Sequence, residues 1–285
     1  MAKIVICADD YGLSPGVGIA VRELIAGGRL TATGCMTVSE HWPAEAALLG
    51  SLADRCDIGL HLTLTDQRPT GPMPRLAPDA TLPSVGRLMV AALARRLDRS
   101  EIEAEIDRQI DRFETATGFL PRFIDGHHHV HQLPVIRDAL LAVYDRRLRR
   151  HGAWLRSCVE PLSGLLRRGV APGRAALISL LGRRFASRAH RAGIPTNTGF
   201  RGVRSFTPSE NWPALMADFL TAPTDGMVVM CHPAIPDAAL AKADRVVEPR
   251  RDEYDYLRSD AFAALLDAQN IAVVRFRDLR DGAAL

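Results

Sequence analysis

The chain has 285 residues, 47% of them hydrophobic and 24% charged, with a formal net charge of +3, the balance of an ordinary globular domain. So small a charge is no argument for nucleic acid as a partner, and no apolar run approaches the ~20 residues of a membrane span. Five cysteines, odd in number and without a C-x-x-C pair, argue against disulfides and a thiolate zinc site and for a reducing, cytoplasmic setting.

Lys3–Ala8 reads as a strand that runs into two adjacent carboxylates, Asp9 and Asp10, and Gly16–Ala26 as the helix after it. Ala32–Val38 is a second strand, Pro43–Leu52 a helix with proline in its first turn, and Asp57–Leu64 a third strand containing His61. The Pro/Gly-rich piece Gln67–Pro83 reads as a long loop of a length that is often functional. Ser100–Thr115 is the clearest helix: Ser100 and Glu103 form a capping box, and Ile102, Ile106, Ile110 and Phe113 share one face.

Arg122–Asp125 is a short strand leading into "DGHHHVH", and Pro134–Arg149 the next helix. Trp154–Arg156 and Met227–Cys231 read as strands, Asp252–Asp267 as one amphipathic helix and Ile271–Phe276 as the last strand. Strands separated by helices predict a parallel sheet, open or closed into a barrel, in one domain.

In parallel α/β architectures the carboxyl ends of the strands face the active site. Asp9 and Asp10, His61, the histidines of "DGHHHVH" and His232 in "CHPA" all stand at such ends. A carboxylate with two imidazoles is the ligand set of a catalytic divalent metal that keeps open positions, and a second carboxylate beside it serves as a base. A cation there would also relieve the repulsion between adjacent aspartates. Four imidazoles in five positions are too polar for a core, whereas His61 in isolation reads first as a hydrogen-bonded core histidine. Competing motifs are weak: Gly16 and Gly18 lack the third glycine of G-x-G-x-x-G, no G-K-[ST] occurs, and Cys231 and His232 point to opposite faces of a strand.

Charge is distributed unevenly. From Pro161 to Ser209 there is no Asp or Glu, while nine arginines lie between Arg167 and Arg204. This is either a solvated helical face or a basic surface for an anionic or membrane-borne substrate, with Ala175–Phe185 as its apolar side.

The blocks "ADDYGLSPG", "GLHLTLT", "DGHHHVH" and "MCHPA" resemble, in order, the signatures of the YdjC family of ChbG/HpnK-like carbohydrate deacetylases. The resemblance implies a distorted (β/α) barrel with the metal site at the strand carboxyl ends, and hydrolysis of the N-acetyl group of an amino sugar, in an oligosaccharide or a lipid-linked glycan. It also implies one divalent metal ion, zinc or magnesium, on Asp10, His61 and His127, with Asp9 as catalytic base and His232 as general acid. The choice of His127 over His128, His129 or His131 comes from alignment to the block, since spacing alone leaves it open.

Arg156, Asn197, Phe200 and Arg201 are expected along the substrate groove, and 161–209 reads as a basic insertion. The arginine-rich segment implies peripheral contact at the inner face of a membrane, and a homo-oligomer stays open. Hydrolysis of another bond, such as a phosphoester or a different amide, or a non-catalytic metal or carbohydrate binder, are the alternatives.

Overall fold

Strand β1 (Ala2–Tyr11) runs through the centre of the molecule, and its alternation separates two cores. Ile4, Ile6 and Ala8 enter the core beneath the helices, while Val5 and Cys7 join Phe123, Trp154, Phe200 and Met230 in a second apolar cluster inside the curve of the sheet. This computed structural model describes residues 1–281 apart from 162–163, 166–169 and 208–209.

The other strands are β2 (Ala32–Cys35), β3 (Asp57–Leu62), β4 (Phe123–Gly126), β5 (Trp154–Leu155), β6 (Gly199–Arg201), β7 (Met227–Cys231) and β8 (Ile271–Val273). Every pairing between them is parallel, in the order β5-β4-β3-β2-β1-β7-β6, with β8 paired to the start of β1.

The free edges of β5 and β6 curl toward each other. Leu155 N–H donates to Pro195 O at 2.9 Å, and the buried Asn197 side chain bonds Ser157 N–H, Ser157 O and Gly199 O at 2.7, 2.8 and 2.7 Å. The result is a distorted (β/α) barrel whose edges meet through one isolated parallel bridge, Leu155 with Thr196, reinforced by the Asn197 side-chain bonds.

Around it lie α1 (Pro15–Ala26), α2 (Trp42–Ala47), α3 (Val85–Leu93), α4 (Arg99–Thr117), α5 (Ile136–Arg147), α6 (Pro172–Arg191), α7 (Trp212–Phe219), α8 (Ala238–Ala243), α9 (Glu248–Leu257), α10 (Asp260–Ala268) and α11 (Phe276–Asp281). No helix among the described residues is long and apolar enough to cross a membrane. All five cysteines are buried and free.

Local expectations are corrected at four points. Helix α4 is capped by Asp98, whose carboxylate accepts from Ser100 N–H and Glu101 N–H, so no Ser100–Glu103 box forms. The segment expected as one helix from Asp252 is two, because Ser259 leaves helical geometry and caps α10 through Phe262 N–H. The loop 67–83 is tied to α4, with Glu105 accepting from Thr70 N–H and Glu101 from Arg75 and Leu76 N–H, and no part of it lines the site described below. Strand β2 ends at Cys35, three residues short of expectation, and α3, α7 and β6 were not among the expected elements.

Candidate active site

At the carboxyl end of the barrel lies a cavity of about 370 Å³ whose walls include Asp9, Asp10, His61, His127 and His232. Strand alternation explains Asp9, which follows Val5 and Cys7 onto the inner face. By the same rule Asp10 should point outward. It sits instead in the left-handed region at φ 66°, in a bulge where the β1–β2 register shifts between Ala8 and Tyr11, and this turns its carboxylate inward beside that of Asp9.

His61 reaches the interior by alternation along β3. Its Nδ1 lies 2.6 Å from Asp125 Oδ1 and its Nε2 3.3 Å from Asp10 Oδ1. Gly34 makes room for the first pair, since a Cβ there would stand 3.0 Å from His61 Nδ1.

The histidine cluster forms a tight turn, residues His127–Gln132, in which His128 and His129 take left-handed backbone at φ 53° and 59°. The four imidazoles reach different partners, although the rings of His127 and His128 stay in contact with centroids 3.9 Å apart. His127 Nδ1 lies 3.0 Å from Asp10 Oδ1, His128 Nδ1 2.9 Å from Thr65 Oγ1, and His129 Nδ1 3.6 Å from Cys158 Sγ. His131 turns away from the cavity to Arg156 O at 2.8 Å. The open choice within the cluster is thereby narrowed: His127 is the imidazole beside Asp10.

The fit of a cation rests on donor chemistry. A metal ligand must be a neutral imidazole, and the Asp125 carboxylate, which only accepts, would then take the Nδ1 hydrogen of His61 and leave its Nε2 lone pair toward Asp10 Oδ1. Two acceptors then face one another, the arrangement a metal ion satisfies. The ligand atoms of Asp10, His61 and His127 all lie within 4.8 Å of one another.

The aspartates are neutralised by two arginines that sequence reasoning did not place there. Arg156 grips Asp9 with both terminal nitrogens, one at 2.9 Å, and also touches Asp125. Arg250, from α9, gives one nitrogen to Asp10 Oδ2 at 2.6 Å and Asp244 Oδ2 at 2.5 Å. Burial alone would raise Asp9, but Arg156, His61 and His232 outweigh it and bring its carboxyl down to about 2. Asp10 is likewise held well below its usual range, Arg250 and His127 overriding burial. Burial pushes His232 down to about 4; its Nε2 stands 4.0 Å from Asp9 Oδ2, and Phe206 meets its ring edge-on at 5.2 Å.

Stability should follow these charges. Asp9's folded pKa is depressed, so its contribution is present above its ordinary value of 3.8 and is lost as pH falls through about 2. The stability difference between the native protein and Asp9→Asn, measured by urea unfolding, should shrink by about 2 kcal/mol between about pH 5 and pH 2. A constant difference would show that Asp9 is not held ionised.

The four residues expected along the groove line no part of the cavity. Arg156 is buried as the counter-ion of Asp9, Asn197 closes the barrel, Phe200 packs in the interior cluster, and Arg201 bonds Phe219 O and Thr221 O. The walls are built instead from Arg174, Arg204, Phe206, Met230, Arg245 and Arg250. Asp125 was legible in principle, as the inward residue two before His127; Arg250 and Glu253, which accepts the His232 N–H, carried no local signal.

The family model described as "YdjC-like protein" matches residues 3–268. A carbohydrate deacetylase of Geobacillus stearothermophilus is 28% identical over 283 residues, covering 96% of both chains. A chitooligosaccharide deacetylase of Serratia marcescens is 29% identical over 277 residues, covering 97% of this chain and 98% of that one. Among solved structures, a candidate cellobiose-phosphate cleavage protein of Enterococcus faecalis V583 superposes with a TM-score of 0.74 at 20% identity, over 98% of each chain.

Proposed function

The chain belongs to the YdjC-like family, and from that premise we propose that it is a metal-dependent hydrolase that removes the acetyl group from an N-acetylated amino sugar. The sugar stands in an oligosaccharide or a lipid-linked glycan, and the products are acetate and the free amine. One observation carries the reading: three ligand atoms converge beside a separate ionised carboxylate and a separate imidazole on one cavity wall. A non-catalytic metal binder needs neither of the latter two. The relatives named as carbohydrate deacetylases supply the substrate class.

Asp10, His61 and His127 would hold a divalent cation, whose chemistry is to polarise the acetamide carbonyl and acidify a water. Two imidazoles favour zinc, whereas magnesium prefers oxygen. Arg250 occupies Asp10 Oδ2 and leaves Oδ1 toward the histidines. Asp9, ionised at neutral pH and oriented by Arg156, accepts the proton of the attacking water. His232, neutral at rest and with Nε2 4.0 Å from Asp9 Oδ2, takes up the proton that Asp9 accepted and delivers it to the departing nitrogen, returning to its neutral form. Met230, Val203 and Phe206 give the acetyl methyl and the sugar ring an apolar wall. Five buried thiols suit a reducing, cytoplasmic compartment.

The test is release of acetate from a panel of N-acetylated amino sugars, with phosphate release from phosphoesters run in parallel. Acetate release that stops on chelation and returns with zinc or magnesium supports the proposal. Phosphate release alone moves the site to another bond, and neither product from any panel member points to a binder.

A further inference from the structure

We infer that α3 and α6 together form a docking face for a bilayer containing anionic lipid. Two stretches of the chain lack acidic residues, 80–97 and 161–209, and the fold brings them together. Both helices pack against the histidine turn, and Arg95, just after α3, lies close enough to act on the buried Arg137 along with Arg184 and Arg188 of α6.

Each helix leaves a pair of aliphatic side chains in water, one turn apart. On α3 these are Val90 and Leu93, 65% and 55% exposed; on α6 they are Leu177 and Leu180, 46% and 61% exposed. Both pairs lie opposite the buried positions of their helices, Leu88 and Ala92 on α3 and Ala175, Ser179, Gly182 and Phe185 on α6. Single exposed leucines are ordinary. Two pairs on helices that both border the histidine turn, set among arginines, are not.

The charge decides the occupant. Arg184 and Arg188 continue the Leu177–Leu180 strip toward the end of α6, at spacings of four residues. Asp138 is the acid that meets this cluster: it pairs with Arg188 and lies 3.6 Å from Arg137. Arg95 and Arg184 make no ion pair among the described residues. Aliphatic side chains beside uncompensated guanidiniums match the boundary of a bilayer, where leucines enter the acyl region and arginines meet lipid phosphates. A nucleic acid would use the arginines and gain nothing from the leucines. Arg167 and Arg168, which belong to the same basic stretch, lie outside the described residues. Arg174, in the first turn of α6, lines the cavity, so the docked helix borders the cavity wall.

Flotation with phosphatidylcholine vesicles, with and without phosphatidylglycerol, tests this at low and high salt. The native protein should float with the phosphatidylglycerol vesicles at low salt, remain free with phosphatidylcholine alone, and detach as salt rises. Leu177→Ser with Leu180→Ser should weaken partitioning by about tenfold or more, and Arg95→Gln with Arg184→Gln should flatten the salt dependence. Thermal melts confirm that each variant is folded.

Absence of flotation at low salt overturns the inference, as does flotation indifferent to the leucine pair. A self-association of the free protein that the leucine pair abolishes would also overturn it, because the face would then join two copies of this chain. Flotation is read without substrate, so its outcome is separate from that of the acetate assay.

Discussion

Asp9→Asn is expected to lower kcat by about 10²- to 10⁴-fold, the range of general-base catalysis, while KM and metal content stay near native values. The substitution keeps the side chain's shape and one of its two contacts with Arg156, through the amide oxygen, but its NH2 cannot accept the second guanidinium N–H and the amide cannot take a proton from water. Arg156 also touches Asp125, so its guanidinium retains a buried counter-ion and the barrel should hold. Asp9 is absent from the converging set of Asp10, His61 and His127, and in the other possible group, Cys7, Asp9 and Asp125, both carboxylates are taken by Arg156, which is why metal content should not follow activity. Steady-state kinetics with elemental analysis of the same preparation settles it. Undiminished turnover removes Asp9 from the reaction, and loss of metal together with turnover makes it a ligand.

The complementary result is expected from Asp10→Asn. Here the metal should be lost first, with affinity down by more than the 10- to 100-fold typical of a residue that only supports a ligand, and activity should fall with it. Asp10 gives one oxygen to the two histidines and the other to Arg250. The amide keeps the volume but removes the charge that holds a cation. Arg250 still has Asp244, which limits the damage to the fold.

Asp125→Asn provides the calibration. It leaves the three donors in place and disturbs the hydrogen bond that orients His61 and the pair Asp125 makes with Arg156, which keeps Asp9 as its other counter-ion, so a loss confined to about 10- to 100-fold is expected. Calorimetric titration of chelator-stripped protein with zinc measures both. Should Asp10→Asn bind zinc like the native chain, the donor set has been read wrongly.

Much of this site could be read from residue order. Period-two alternation carries Asp9, His61 and Asp125 onto the inner face of their strands, because a strand in a curved parallel sheet has only two faces and the outer one is buried by helices. The crowding of imidazoles after β4 marks a polar function, since so many rings could not be satisfied inside a core. The break in helicity at Ser259 and the Asp98 cap were misplaced for a local reason: several polar residues nearby could each cap, and only the backbone angles select one.

What the order of residues determined by itself is the chemistry available at the strand ends and the α/β architecture that collects it, since both depend on short-range periodicity. The direction of Asp10, the guanidiniums that neutralise each aspartate and the role of Asn197 in closing the barrel were decided by tertiary structure alone. Asp10 and Arg250 lie 240 positions apart, and Arg156 and Asp9 147 apart. Electrostatic compensation in a low-dielectric interior depends on distance in space, which sequence separation does not encode.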